Sequence, residues 1–247
     1  MLAWIRNKRL PLGRSSDRRR MKQGTLGVVA VNGHTGPVTL DLLNALMQLR
    51  TSSTACNFYQ PESDAAGDFS TTADERLERL REHLRRTESG DLVFVGEAAG
   101  WNGARQSGVP FTSAADVGLR GSTEPSSIAM HRLLARYGLA NRALLWNAFP
   151  LHPHKVSDPR SNRTPTAAEF RSWQDAVRVA VRGRRIVCVG RKAQLWLHRA
   201  TGFAIPDASQ ARETDHALSI RHPSHGGGPE FLAQGSAALE LWGLRAA

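Results

Sequence analysis

The chain has 247 residues, 40% of them hydrophobic, which is enough to bury one full α/β core. It carries a net charge of +11 and only two cysteines, which argues against a disulfide framework and leaves too few thiolates for an ordinary four-cysteine iron–sulfur cluster. No apolar run approaches the roughly 18–20 residues of a membrane span, so the expectation is a soluble, cytoplasmic protein. The charge suggests a polyanionic partner such as DNA, RNA or an anionic membrane surface, with an ordinary solvated Arg-rich surface as the plain alternative.

Part of that charge is local. Residues 1–23 read as a basic tail, in which Arg6, Lys8, Arg9, Arg14, Arg18, Arg19 and Arg20 face Asp17 alone, leaving a more ordinary balance for the remainder. A DNA-tethering arm, an organellar targeting segment and an upstream start before a true Met21 all fit; the tail and start readings are favoured. Residues 24–247 read as a single domain whose folded part begins near Val28. A helix is predicted over 37–50 from Leu40, Leu42, Leu43, Leu46, Met47 and Leu49. After a polar stretch, Leu77, Leu80 and Leu84 give a second helix over 73–86, ended by Gly90. A strand at 92–95 leads into a glycine-containing loop, 96–122. Thr123 is the expected N-cap of a helix over 124–137, with Pro125 in its first turn. A strand at 143–148 is followed by a basic loop, 149–163. The box Thr166-x-x-Glu169 starts a helix running towards Val181. Then come a strand at 185–189, a short helix through Trp196, a strand at 216–221 and a final helix at about 231–242. Strands alternating with helices predict a three-layer α/β/α sandwich around a mostly parallel four-stranded sheet.

In such a sheet, ligands sit beyond the carboxyl ends of the strands. Here those ends deliver Gly96-Glu97-Ala98-Ala99-Gly100, Asn147 with the loop through His152, His154 and Lys155, Gly190-Arg191-Lys192, and His222-Pro223-Ser224-His225 with three glycines. The first and last turns are expected to face one another across one cleft.

As a set, these residues resemble the uracil-DNA glycosylase superfamily. The Gly96–Gly100 turn is similar to the family's first motif, with Ala99 in place of the usual proline, and His222-Pro223-Ser224 to its second. Asn147 matches an Asn closing an apolar strand, and Phe111, in Gly108-Val109-Pro110-Phe111, a base-stacking Phe. The resemblance covers about residues 90–240. It implies a bacterial-type, cluster-free branch with no cofactor or metal, acting as a monomer on uracil-containing, nucleoid-associated DNA. Substrate contact is implied for Gly96, Glu97, Ala98, Phe111, Asn147 and His222. Ala98 stands where better-known branches carry Asp or Asn, so the water-activating group passes to Glu97, with Asn102 second.

The chemistry fits these residue types. A flipped base needs a flat apolar surface, a discriminating hydrogen-bonder and a donor for the departing anion. Phe111 supplies the surface. The Asn147 amide accepts from uracil N3–H and donates to O4, and cytosine reverses that pattern. A neutral His222 N–H aimed at O2 acts where charge develops. Ser224, His225 and the backbone of Gly226, Gly227 and Gly228 suit phosphate contact, as do Lys155, Arg160 and Arg163. No lysine near the motifs suits a Schiff base, which implies a monofunctional hydrolase leaving an abasic site. A metal-dependent hydrolase built on His152, His154, His222 and His225, and a non-catalytic nucleic-acid-binding protein of the same fold, are the competing readings.

Overall fold

The computed structural model describes residues 38–66 and 68–247. The basic tail at 1–23 and the domain start near Val28 lie outside them. Helix α1 (Val38–Gln48) buries Leu42, Leu43 and Leu46, while Leu40 and Met47 turn outward. Helix α2 (Ala73–Arg86) opens with a capping box, Thr72 and Glu75 exchanging side-chain and backbone hydrogen bonds. Four parallel strands follow: β1 (Leu92–Ala98), β2 (Ala143–Phe149), β3 (Arg185–Val189) and β4 (Ala217–Ile220). They are ordered β2-β1-β3-β4, with Gly96 opposite Asn147 and Val95 opposite Cys188.

Both faces of the sheet are covered, as all-parallel sheets require. On one face Val93, Val95, Leu144, Trp146, Ile186 and Cys188 pack under α1, α2, α5 (Gln174–Val181) and α6 (Arg191–Thr201). On the other, Leu92, Phe94, Leu145, Val187, Val189, Leu218 and Ile220 pack under α3 (Pro125–Arg136) and α7 (Gly228–Leu241). Near-continuous apolar strands are thereby explained, since alternate residues feed different cores. Among the described residues, no helix is long and apolar enough to cross a membrane.

Four local differences from the sequence reading have packing reasons. The helix expected from Thr166 to Val181 is two: α4 (Ala167–Arg171) and α5. The break falls at Ser172–Trp173, where the fully buried Trp173 ring stacks on Trp146 with centroids 6.2 Å apart. Helix α3 is capped at Glu124 rather than Thr123, with no side-chain cap bond, because the Glu124 carboxylate is used elsewhere. Strand β1 runs to Ala98 rather than Val95, carrying Glu97 on strand rather than loop, and β2 runs one residue further than expected, to Phe149. Finally, α7 starts at Gly228, one residue before Pro229, instead of near 231.

Strand β2 is an edge, and its outer side is closed by α2. The Leu145 N–H donates to Nε2 of His83 at 3.0 Å. Burial, with nearby cationic side chains, lowers the His83 pKa to about 3, so its ring stays neutral and able to accept. One N–H of that strand edge is thereby paired with an imidazole.

Candidate active site

The carboxyl ends of β1, β2 and β4 open into one cleft of about 440 Å³, whose wall includes Gly96, Glu97, Ala98, Phe111, Asn147, His222, Ser224 and His225. Residues far apart in sequence meet because parallel strands all point the same way. A second cavity of about 780 Å³ lies on the far side of His222, beside Arg191 and Arg221.

His222 leaves the end of β4 against Gly190, whose φ of +90° and lack of a side chain admit it; a Cβ there would sit 3.1 Å from the His222 Cβ. The backbone N–H of Ser224 donates to His222 Nδ1 at 3.2 Å. A backbone N–H is always a donor, so Nδ1 carries no hydrogen and the proton of the neutral ring sits on Nε2. Burial first, then the His225 and Arg221 charges, lower the pKa of His222. The ring is thus neutral at pH 7, with its N–H on the nitrogen remote from Ser224.

Asn147 is almost completely buried. Gly96 faces it across the β1–β2 ladder and lies equally close to Phe111: a Cβ on Gly96 would stand 2.6 Å from Asn147 Oδ1 and 2.7 Å from Phe111 Cζ. The glycine therefore permits amide and ring to converge. Phe111 holds a φ of +54°, a conformation that is a genuine outlier for a bulky side chain. Its loop is tied down on both sides. Ser107 Oγ donates to Thr112 O at 2.7 Å, and buried Tyr59 donates to Gly108 O at 2.7 Å. Strain held by surrounding bonds is a mark of functional positions.

Two carboxylates reach this cleft. Glu97 has one oxygen, Oε1, that is buried with no hydrogen-bond partner among the described residues. Burial raises its pKa, opposed by the Thr164 hydroxyl and the Lys192 charge. Glu124, which the sequence reading missed, lies against the glycine turn: a Cβ on Gly100 or Gly103 would collide with its carboxylate. It accepts from the Asn102 backbone N–H and from Ser126, and burial raises its pKa. Its only sequence signal was an acidic residue directly before Pro125. Asn102 itself is exposed and faces a separate hollow with Asp68, Ser70 and Gln106. It is not brought to the cleft, which withdraws it as a water-holding candidate.

The loop after β2 forms the opposite wall through Pro153, Asn162 and Arg163. Arg163 is not free for phosphate. Its guanidinium pairs with both oxygens of Glu169, at 2.9 and 2.5 Å, and donates to the carbonyls of His154, Thr164 and Thr54. That pairing holds Glu169 down to a pKa of about 2, against its burial. The fork clamps the loop onto the two-residue antiparallel ladder joining Ala55–Cys56 to His152–Pro153. Lys155 is exposed and is not part of the cleft wall. On the other side, Gly227 is buried and its N–H donates to Ser224 O at 3.0 Å, so that amide is already used, while Gly226 is exposed with φ +78°.

His152 and His154 are buried beside one another and face backbone carbonyls: Ala99 and Pro159 for the two nitrogens of His152, of which a neutral ring donates to one, and Lys155 for His154. Burial lowers the His152 pKa to about 4. Among the described residues, no three His, Cys, Asp or Glu side chains converge as metal ligands would. These two histidines support the loop through backbone carbonyls.

A family model described as the uracil DNA glycosylase superfamily matches residues 83–227. Among solved structures, the chain is similar to Pedobacter heparinus SMUG2, with 11% identity and a TM-score of 0.57 over 82% of this chain and 97% of that one. That likeness bears on the fold. Among curated proteins, none matches the sequence. With the motifs gathered at one cleft and the match spanning more than half its length, the chain belongs to the uracil DNA glycosylase superfamily.

Proposed function

We propose that this protein is a monofunctional, monomeric glycosylase that flips uracil out of DNA and hydrolyses its N-glycosidic bond, leaving an abasic site. The observation that carries this reading is the convergence of Phe111, Asn147, Glu97 and His222 on one cleft. Extrusion costs a few kcal/mol of stacking and pairing, and the Phe111 face restores stacking area inside the cleft. The Asn147 amide oxygen accepts from N3–H while its NH₂ donates to O4; cytosine at the same place would leave buried groups unpaired.

As the C1′–N1 bond breaks, its electron pair moves into the uracil ring and charge grows on O2. The neutral His222, held with its hydrogen on Nε2, donates there without itself becoming an ion. A water completes the reaction, its oxygen bonding C1′ and one of its protons passing to Glu97. Glu97 lines the cleft where that water would stand, and its raised pKa makes it a better base than an exposed carboxylate. Ala98 contributes only space. Exposed Lys155 and Gly226, close in sequence to the wall residues Pro153 and His225, are left for flanking phosphates, in nucleoid DNA of the cytoplasm.

The test is release of free uracil from a single-uracil oligonucleotide, beside matched strands with cytosine, hypoxanthine or xanthine. Uracil release with intact cytosine supports the reading. DNA binding with no release of any base would leave a non-catalytic member of the same fold.

A further inference from the structure

His225 has a φ of +52°, and no turn glycine takes its place although three glycines follow directly. The left-handed backbone sets its ring on the Ser224 hydroxyl, with Nδ1 3.0 Å from Oγ. The same hydroxyl lies 2.8 Å from His222 Nδ1. Three polar atoms stand in line, and their hydrogens can be assigned by elimination. His222 Nδ1 already accepts from the Ser224 N–H and so carries no hydrogen. At 2.8 Å the Ser224 Oγ must then point its own hydrogen at that nitrogen, because two facing lone pairs at this distance would repel. A hydroxyl has one hydrogen to give. It therefore meets His225 as an acceptor, and His225 Nδ1 must carry a hydrogen.

We infer that His225 is a positioning residue for His222, acting through Ser224 to hold the His222 hydrogen on Nε2. This rests on the proposed role of His222 as donor to the departing base. It also replaces the expectation that Ser224 and His225 serve mainly as phosphate contacts: both hydrogen-bonding groups of Ser224, N–H and O–H, are turned to the imidazole. Without His225, the hydroxyl is free to rotate towards other acceptors, and one of the two bonds fixing the ring is lost. A catalytic group is only as good as the partners that lock its orientation.

The test pairs ring spectroscopy with turnover in the full-length protein. Nitrogen-15 histidine labelling, with His222 assigned by its disappearance in His222→Gln, reads which ring nitrogen bears the hydrogen. Wild type is expected to show His222 as the Nε2–H form. His225→Ala, which leaves the Ser224 N–H as the one bond opposing a hydrogen on Nδ1, should raise the share of the Nδ1–H form. Single-turnover uracil release should fall roughly ten-fold, the scale of one hydrogen bond, with affinity for uracil-free duplex within about two-fold. His225→Asn is the decisive partner. Asn tolerates the left-handed conformation and places its NH₂ where the imidazole Nδ1–H stood, so it should restore the Nε2–H form and most of the rate. An unchanged His222 tautomer in His225→Ala, or an Asn variant as slow as the Ala variant, overturns the inference. If wild type releases no base while the His225→Ala spectrum still changes, the positioning contact stands and the uracil reading falls.

Discussion

Gly96 offers the sharpest single-atom test of the cleft. Adding one methyl in Gly96→Ala puts carbon 2.6 Å from Asn147 Oδ1 and 2.7 Å from Phe111 Cζ, where ordinary contact begins near 3.4 Å. The amide and the ring must each retreat by about 0.7–0.8 Å, and displacement of about 1 Å in a reacting geometry costs on the order of 100-fold. Single-turnover uracil release should therefore fall roughly 30- to 100-fold. The fold should survive. Overpacking of this kind costs about 1–3 kcal/mol, partly offset because Ala suits a strand better than Gly, and each kcal/mol lowers Tm by only about 2–4 °C at this chain length. Excision on a uracil oligonucleotide, run beside a thermal melt, separates the two effects. A Gly96→Ala protein that is folded and excises within two-fold of wild type would refute the argument that Asn147 and Phe111 hold one base between them.

His222→Ala should cut turnover by orders of magnitude with DNA binding retained, read by single-turnover kinetics and a binding titration; equal loss of both would mean a structural role. Asn147→Asp removes the NH₂ donor and should relax or shift base preference, measured as the uracil-to-cytosine release ratio; an unchanged ratio would refute its role. His83 and His152 are held neutral when folded, with pKa values near 3 and 4, but take up protons near 6.5 when unfolded. The unfolded chain therefore binds more protons below pH 6.5, and stability falls as pH drops, by about 1.4 kcal/mol per pH unit for each group. His83→Gln, whose amide oxygen can still accept from Leu145, should fold and lose less stability between pH 6.5 and 5 in denaturant titrations; an unaltered slope would show that His83 does not titrate as described. Glu169→Gln breaks the charged half of the Arg163 clamp. It should lower Tm above pH 4.5, the carboxylate's ordinary pKa, and the difference from wild type should shrink as pH falls towards 2.

The layered fold was legible because parallel strands buried on both faces leave apolar runs that stand out, as at Leu92–Val95 and Ile186–Val189, separated by periodic helices. The helix over 73–86 and the strand over 185–189 match the observed bounds. The strand ends bearing Glu97, Asn147 and His222 were legible for a related reason: polar residues directly after apolar runs must sit there. What stayed hidden was long-range pairing. Nothing local tells that Glu124 abandons its helix cap for the Gly100–Gly103 backbone, that Arg163 spends its donors on Glu169 and Thr54, or that Trp173 interrupts a helix to reach Trp146. The tautomer of His222 depends on a hydrogen-bond direction set by the folded Ser224 backbone.

The family match begins at residue 83, yet the segment before it is no optional appendage. The Thr54 carbonyl receives hydrogen bonds from both His154 N–H and Arg163, and Tyr59 reaches across to Gly108. One short upstream stretch thus adds a brace to two walls of the cleft, as a keystone does an arch. The smallest fragment able to grip a base must reach back at least to Thr54, and trimming to the matched region would leave the motifs present but unbraced.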